Sequence, residues 1–192
     1  MSKFAGNCSH IIDWEDVITH LEDNQPGILI EAKAIETKAT DPNYPTYPGE
    51  KEHDTLTLER WKNANYDFSS SYWYLYRPET HFSIEVEKQL SEFLNIEPMH
   101  TSIFKIPPGC NAPVHFETGE HPDAHAPGKE IRVCSQIRTG VDGQVLIIES
   151  EVFHNCLAGN LYQWDHFTQM HAVANCGLEP AYYLFIQGVL KD

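Results

Sequence analysis

Residues Glu130–Trp164 read EIRVCSQIRTGVDGQVLIIESEVFHNCLAGNLYQW. Short runs rich in β-branched and aromatic residues are separated here by turn segments built on Gly140, Gly143 and Gly159. Strands are therefore predicted over Glu130–Arg138, Gln144–Glu149, Val152–Cys156 and Leu161–Trp164. The same texture continues outward, with Thr101–Ile106 upstream and His171–Ala174 and Ala181–Val189 downstream. So many short strands with glycine punctuation predict an all-β sandwich or barrel.

Upstream of Glu97 the pattern is mixed. Asp13–Asp23 places Trp14, Val17, Ile18 and Leu21 on one helical face. Gly27–Ala34 predicts a strand, and the proline-rich Asp41–Glu50 predicts a loop. Thr57–Ala64 predicts a short helix, Ser71–Arg77 an aromatic strand, and Ser83–Leu94 a further helix. The expectation is one domain over residues 1–192. In it, a helical and irregular segment (1–96) packs on a β core (97–192).

The 192 residues carry 13 Lys+Arg against 28 Asp+Glu, a net charge of −15. That charge argues against nucleic acid and against an anionic membrane face, since both need clustered Lys and Arg. No apolar run reaches the ~20 residues that span a bilayer, and the N-terminus lacks the pattern of a signal peptide. Cys8, Cys110, Cys134, Cys156 and Cys176 form no C-x-x-C pair, which points to a reducing, cytoplasmic setting with core thiols. Eleven histidines in an acidic chain are raw material for a metal site.

Two segments carry candidate chemistry. In PPGCNAPVHFE, residues 107–117, a Pro-Gly turn leads to His115 and Glu117. Positions i and i+2 of an extended chain share a face, so an imidazole and a carboxylate can converge on one ion. Downstream, His171 opens HAVAN, residues 171–175, ahead of the long apolar strand that begins at Ala181. A rival pair, His121-Pro122-Asp123, sits with His125 in the loop 118–129, where a proline fits a paired strand poorly. His154 is a second candidate for the downstream position.

The order Pro-Gly turn, Pro-x-His-x-acid, then GNLYQWD and HAVAN resembles the double-stranded β-helix (jelly-roll, cupin-like) Fe(II)/2-oxoglutarate-dependent oxygenases. It is most similar to their aspartyl/asparaginyl and prolyl hydroxylase-like branch. The resemblance covers residues 81–192. It implies a mainly β barrel with N-terminal helices, Fe(II) held by His115, Glu117 and His171, and 2-oxoglutarate as co-substrate. Two histidines and a carboxylate occupy one face of an octahedral ion and leave the other open. The implied reaction is hydroxylation of an amino-acid or peptide-like small substrate.

The sequence departs from that pattern at two points. The acid is Glu117 where Asp is commoner. Ala181 stands where many members carry the arginine that anchors 2-oxoglutarate, and no Lys or Arg occurs between His171 and Lys191. Arg132 is the substitute anchor, on a strand where Glu130, Cys134, Gln136 and Arg138 share its face. Arg77 ranks behind it. Gln136 and Asn175 are candidate polar contacts for the co-substrate. Two alternatives stay open: a cupin-type metalloenzyme that does not use 2-oxoglutarate (a dioxygenase or isomerase), and a non-catalytic metal- or ligand-binding barrel. A homodimer is compatible with either.

Overall fold

The structure is a computed structural model. It describes residues 3–23, 29–32, 50–65, 73–76, 81–115, 130–164 and 169–191, and for 3, 29–32, 50–54, 57–58, 73–76, 81–84, 100 and 115 the backbone alone. The core is formed by β4 (Ile96–Ile106), β5 (Asn111–His115), β6 (Glu130–Gln136), β7 (Gln144–Ile148), β8 (Glu151–His154), β9 (Asn160–Trp164), β10 (His171–Asn175) and β11 (Ala181–Leu190). Their antiparallel pairing is nested: β4 with β11, β5 with β10, β6 with β9, and β7 with β8. A long hairpin wound in this way deals its strands alternately into two sheets. One holds β9-β6-β11-β4 in that order, and the other holds β5-β10-β7-β8. This is the double-stranded β-helix, or jelly roll.

The larger sheet is extended at both edges. Beside β9 lies β1 (Lys3–Asn7), and beside β4 lie β3 (Trp73–Tyr76) and β2 (Leu29–Ala32). Strand alternation gives that sheet two buried faces. The outer face carries Ile103, Ile131, Val133, Leu161, Tyr182, Leu184 and Ile186. It packs against α1 (Trp14–Asp23) and α3 (His81–Leu94) through Trp14, Val17, Ile18, Leu21, Val86 and Leu90. Burying each such aliphatic side chain contributes about 1.5–3 kcal/mol. Polar ties fix the angle of α1: Glu22 takes a hydrogen bond from the Tyr182 hydroxyl at 2.6 Å and pairs with Lys105 at 2.8 Å. Glu15 receives Arg138 through two nitrogens. The inner face meets the smaller sheet through Ile106, Cys134, Trp164, Ala181 and Tyr183 against Ala112, Leu146, Ile148 and Val173.

Several elements differ from their sequence expectations. The helix expected over Thr57–Ala64 is longer, as α2 (Glu50–Asn63), and β4 begins at Ile96 instead of Thr101 because β11 pairs along its whole length. β1 has no strand signature. It exists because β9 offers an edge, and it accommodates Gly6 at φ 125° in a bulge where a Cβ would press on Phe93. The proline-rich stretch before Glu50 lies outside the described residues, as do Arg77 and the loop 118–129.

Candidate metal centre

His171 is the first residue of β10 and is 4% exposed. It sits opposite the inward Ile148 and two residues before the inward Val173, so strand alternation turns it into the barrel. Its ring lies 5.2 Å from that of Trp164 and 6.2 Å from that of Phe185, centroid to centroid. Nδ1 is 3.3 Å from the Gln169 carbonyl oxygen. A carbonyl only accepts, so this hydrogen bond selects the Nδ1–H tautomer and leaves the lone pair on Nε2. That is the arrangement in which a histidine serves as a metal ligand.

The upstream histidine is placed by the backbone. His115 ends β5 and is the register partner of His171. Further along the ladder Val173 opposes Ala112, so β5 spends one residue more than β10 over this stretch. That extra residue is a β-bulge at Pro113–Val114. Without it, position 115 would fall on the face opposite to Ala112's; with it, position 115 stands across from His171. Pro113 has no N–H to lose from the ladder, which makes it suited to such a site. Glu117, His121, Asp123 and His125 lie outside the described residues. Among the described residues no three His, Cys, Asp or Glu side chains form a metal-binding group.

Arg132 is 7% exposed and lies on the inner face of β6, in register with Gln187 of β11 and Trp164 of β9. Trp164 thus touches His171 and stands beside Arg132. Glu130, on the same face of β6, accepts a hydrogen bond from Gln187. The basic residue and the histidine pair therefore occupy one end of the barrel.

Gln136 and Asn175 occupy the other end. Each lies four residues along its strand from Arg132 or His171, a rise of about 13 Å. Gln136 donates to Gln144, which donates to the Glu179 carbonyl. Asn175 donates to the carbonyls of Ile106 and Glu179 and accepts from the Gly177 N–H. Both amides hold the turns that close this end, and the structure does not bring them to His171. Ala181 is 1% exposed at that same end. His154, on the edge strand β8, is exposed and points away from the barrel interior.

Between the two ends the described interior side chains are uncharged. Burial pushes the Cys134 thiol and the Tyr183 phenol well up from their ordinary ranges, so both stay protonated at neutral pH. Phe185 and Phe104 pack edge to face at 5.1 Å and complete an aromatic wall with Trp164. The sequence reading missed Phe185 and the bulge. It also missed Trp61 of α2, whose ring is buried in the inner cluster and whose Nε1–H donates to the Val114 carbonyl at 2.9 Å. A lone tryptophan in the polar run EKEHDTLTLERWKN was the available signal.

The donors present fit a divalent ion of intermediate softness. An imidazole with its lone pair on Nε2 faces a second histidine position, and a carboxylate follows two residues later in the sequence. No helix among the described residues is long and apolar enough to cross a membrane.

No protein-family model matches the chain, and no curated protein matches it. Solved structures are similar to it. An oxidoreductase of the 2OG-Fe(II) oxygenase family from Burkholderia pseudomallei is 11% identical, over 91% of this chain and 90% of that one, with a TM-score of 0.48. A predicted oxalate decarboxylase from Thermotoga maritima is 12% identical over 62% of this chain and 83% of that one, with a TM-score of 0.40. A cupin domain from Bordetella pertussis is 17% identical over 50% of this chain and 84% of that one, with a TM-score of 0.34. Likeness at this level does not reach to an activity, and the jelly-roll assignment stands on the nested strand pairing of the chain itself.

Proposed function

We propose that this chain is a non-haem Fe(II)/2-oxoglutarate-dependent oxygenase that hydroxylates an amino-acid or peptide-like small substrate. The observation that carries the reading is His171: buried inside the barrel, its Nδ1–H held by the Gln169 carbonyl, and opposite position 115. His115, Glu117 and His171 are the proposed ligands of the iron. When bound, the iron and its co-substrate supply the oxidising power for an unactivated C–H bond. The chain's own part is to hold and enclose. The Gln169 carbonyl fixes the His171 ring, the Trp164–Phe185–Phe104 wall excludes water, and Arg132 binds the far carboxylate of 2-oxoglutarate.

The proposed partner is a small-molecule or peptide substrate, with neither nucleic acid nor membrane, and the chain is compatible with a homodimer. A cytoplasmic setting is supported by five free thiols. The second reading, a cupin-type metalloenzyme that does not use 2-oxoglutarate, is favoured by one observation, the buried Ala181 in place of an arginine.

Anaerobic titration separates the two. Adding 2-oxoglutarate to the Fe(II)-loaded protein should raise a weak visible charge-transfer band, and O₂ should then yield succinate. No band and no O₂-linked succinate would sink the proposal in favour of the second reading. His171→Ala should abolish iron binding, and Arg132→Ala should weaken 2-oxoglutarate far more than iron. Iron binding that survives His171→Ala would show the ligand assignment to be wrong.

A further inference from the structure

We infer that Trp61 is a positioning residue for the metal centre, through which the N-terminal segment sets the place of His115. The inference rests on the proposed ligand set.

Among the described side chains of α2, Thr55, Leu56, Glu59, Arg60, Lys62 and Asn63 are exposed, and Trp61 alone is buried, at 7%. A helix this polar does not pack by a continuous apolar stripe. Among those side chains the buried anchor is one ring, and it belongs to the barrel's inner cluster, with Ala112, Ile148 and Trp164, instead of the outer face used by α1 and α3.

The polar atom of that ring has a specific target. β5 is the edge strand of the smaller sheet, so half of its backbone groups face away from the ladder with β10. A bulge further loosens the pairing at Pro113–Val114. The indole N–H donates to the carbonyl of Val114, in the bulge and one residue before His115. Register at this point decides which face position 115 occupies. One hydrogen bond from a residue 53 positions upstream therefore pins the backbone where the ligand histidine departs.

The test compares Trp61→Phe and a Trp61→β-(3-benzothienyl)alanine protein with the unaltered chain. The second replacement keeps the ring's shape and removes only the N–H. Calorimetry with Co(II) gives metal affinity, the visible spectrum of the Co(II) protein reports coordination, and thermal unfolding of the metal-free protein reports packing. Loss of the N–H should weaken Co(II) binding by about tenfold, the scale of outer-shell changes at metal sites, and shift the Co(II) bands. The benzothienyl protein should do so with little change in metal-free melting temperature. Unchanged affinity and bands in that protein would overturn the inference while leaving the ligand set standing. If the unaltered chain binds no Co(II), or binds it equally with His171→Ala, the ligand set falls and this inference falls with it. Should Trp61→Phe fail to fold, the benzothienyl protein alone decides.

Discussion

At the scale of single residues, local chemistry here follows from burial. His171 acquires one tautomer because a carbonyl two residues back accepts from Nδ1. The cysteines divide by position. Cys176 is exposed and Cys110 is half-buried, while Cys8, Cys134 and Cys156 are buried. Burial pushes the Cys134 and Cys156 thiols up, and the nucleophile is the thiolate. With a chromogenic disulfide reagent at neutral pH, Cys176 should react first and Cys110 more slowly. Cys8, Cys134 and Cys156 should react only after denaturant is added. Rapid modification of all five in the folded protein would contradict this burial pattern. Two histidines that the sequence singles out by type and spacing, His115 and His171, stand as register partners in the fold. Gln136 and Asn175, expected as co-substrate contacts, hold a neighbouring amide and backbone turns in the structure. Buried amides are as useful for closing backbone turns as for holding ligands, and only hydrogen-bond partners tell the two apart.

At the scale of elements, α1 shows sequence and structure in agreement. Asp13 stands just before the helix and accepts from the Asp16 N–H at 3.2 Å, while its carbonyl takes the first helical bond from Val17. That is an N-cap, and Asp13→Ala should lower stability by about 1 kcal/mol in denaturant unfolding, with no effect on metal affinity. A neutral result would mean that tertiary packing alone holds the first turn. Element boundaries were less legible where pairing set them. β4 runs five residues further back than its apolar pattern because β11 supplies a partner through Leu190. β5 reads as a turn-flanked extended segment, and nothing in NAPVH states that it carries a bulge.

At the scale of the whole molecule, two cores share one sheet. The outer core joins α1 and α3 to the barrel, and the inner core joins the sheets. Cys8, in the outer core, has its thiol pushed up by burial from 9.0 to about 12. An unfolded chain would ionise this thiol near its ordinary value. The stability it contributes is therefore complete below about pH 9 and lost as pH rises towards about 12. Denaturant midpoints should fall over that range, and Cys8→Ala should flatten part of the fall. An unchanged slope in that variant would remove Cys8 from the explanation. Metal loading, by contrast, should raise the melting temperature by mass action, since the proposed ligand positions 115 and 171 meet only in the folded barrel.

The sequence by itself determined the β-rich core, the amphipathic helices ahead of it, and the residue types able to hold an ion. Composition, strand-length apolar runs and glycine placement are local properties, and they survive without knowledge of partners. The tertiary structure alone decided which residues meet. Nested pairing across the wound hairpin brings β5 against β10, sixty residues apart in the chain, and a single extra residue at Pro113–Val114 sets position 115 opposite His171. Pairing register is a long-range property with a period of two, so one bulge reverses it, and no local pattern records that reversal.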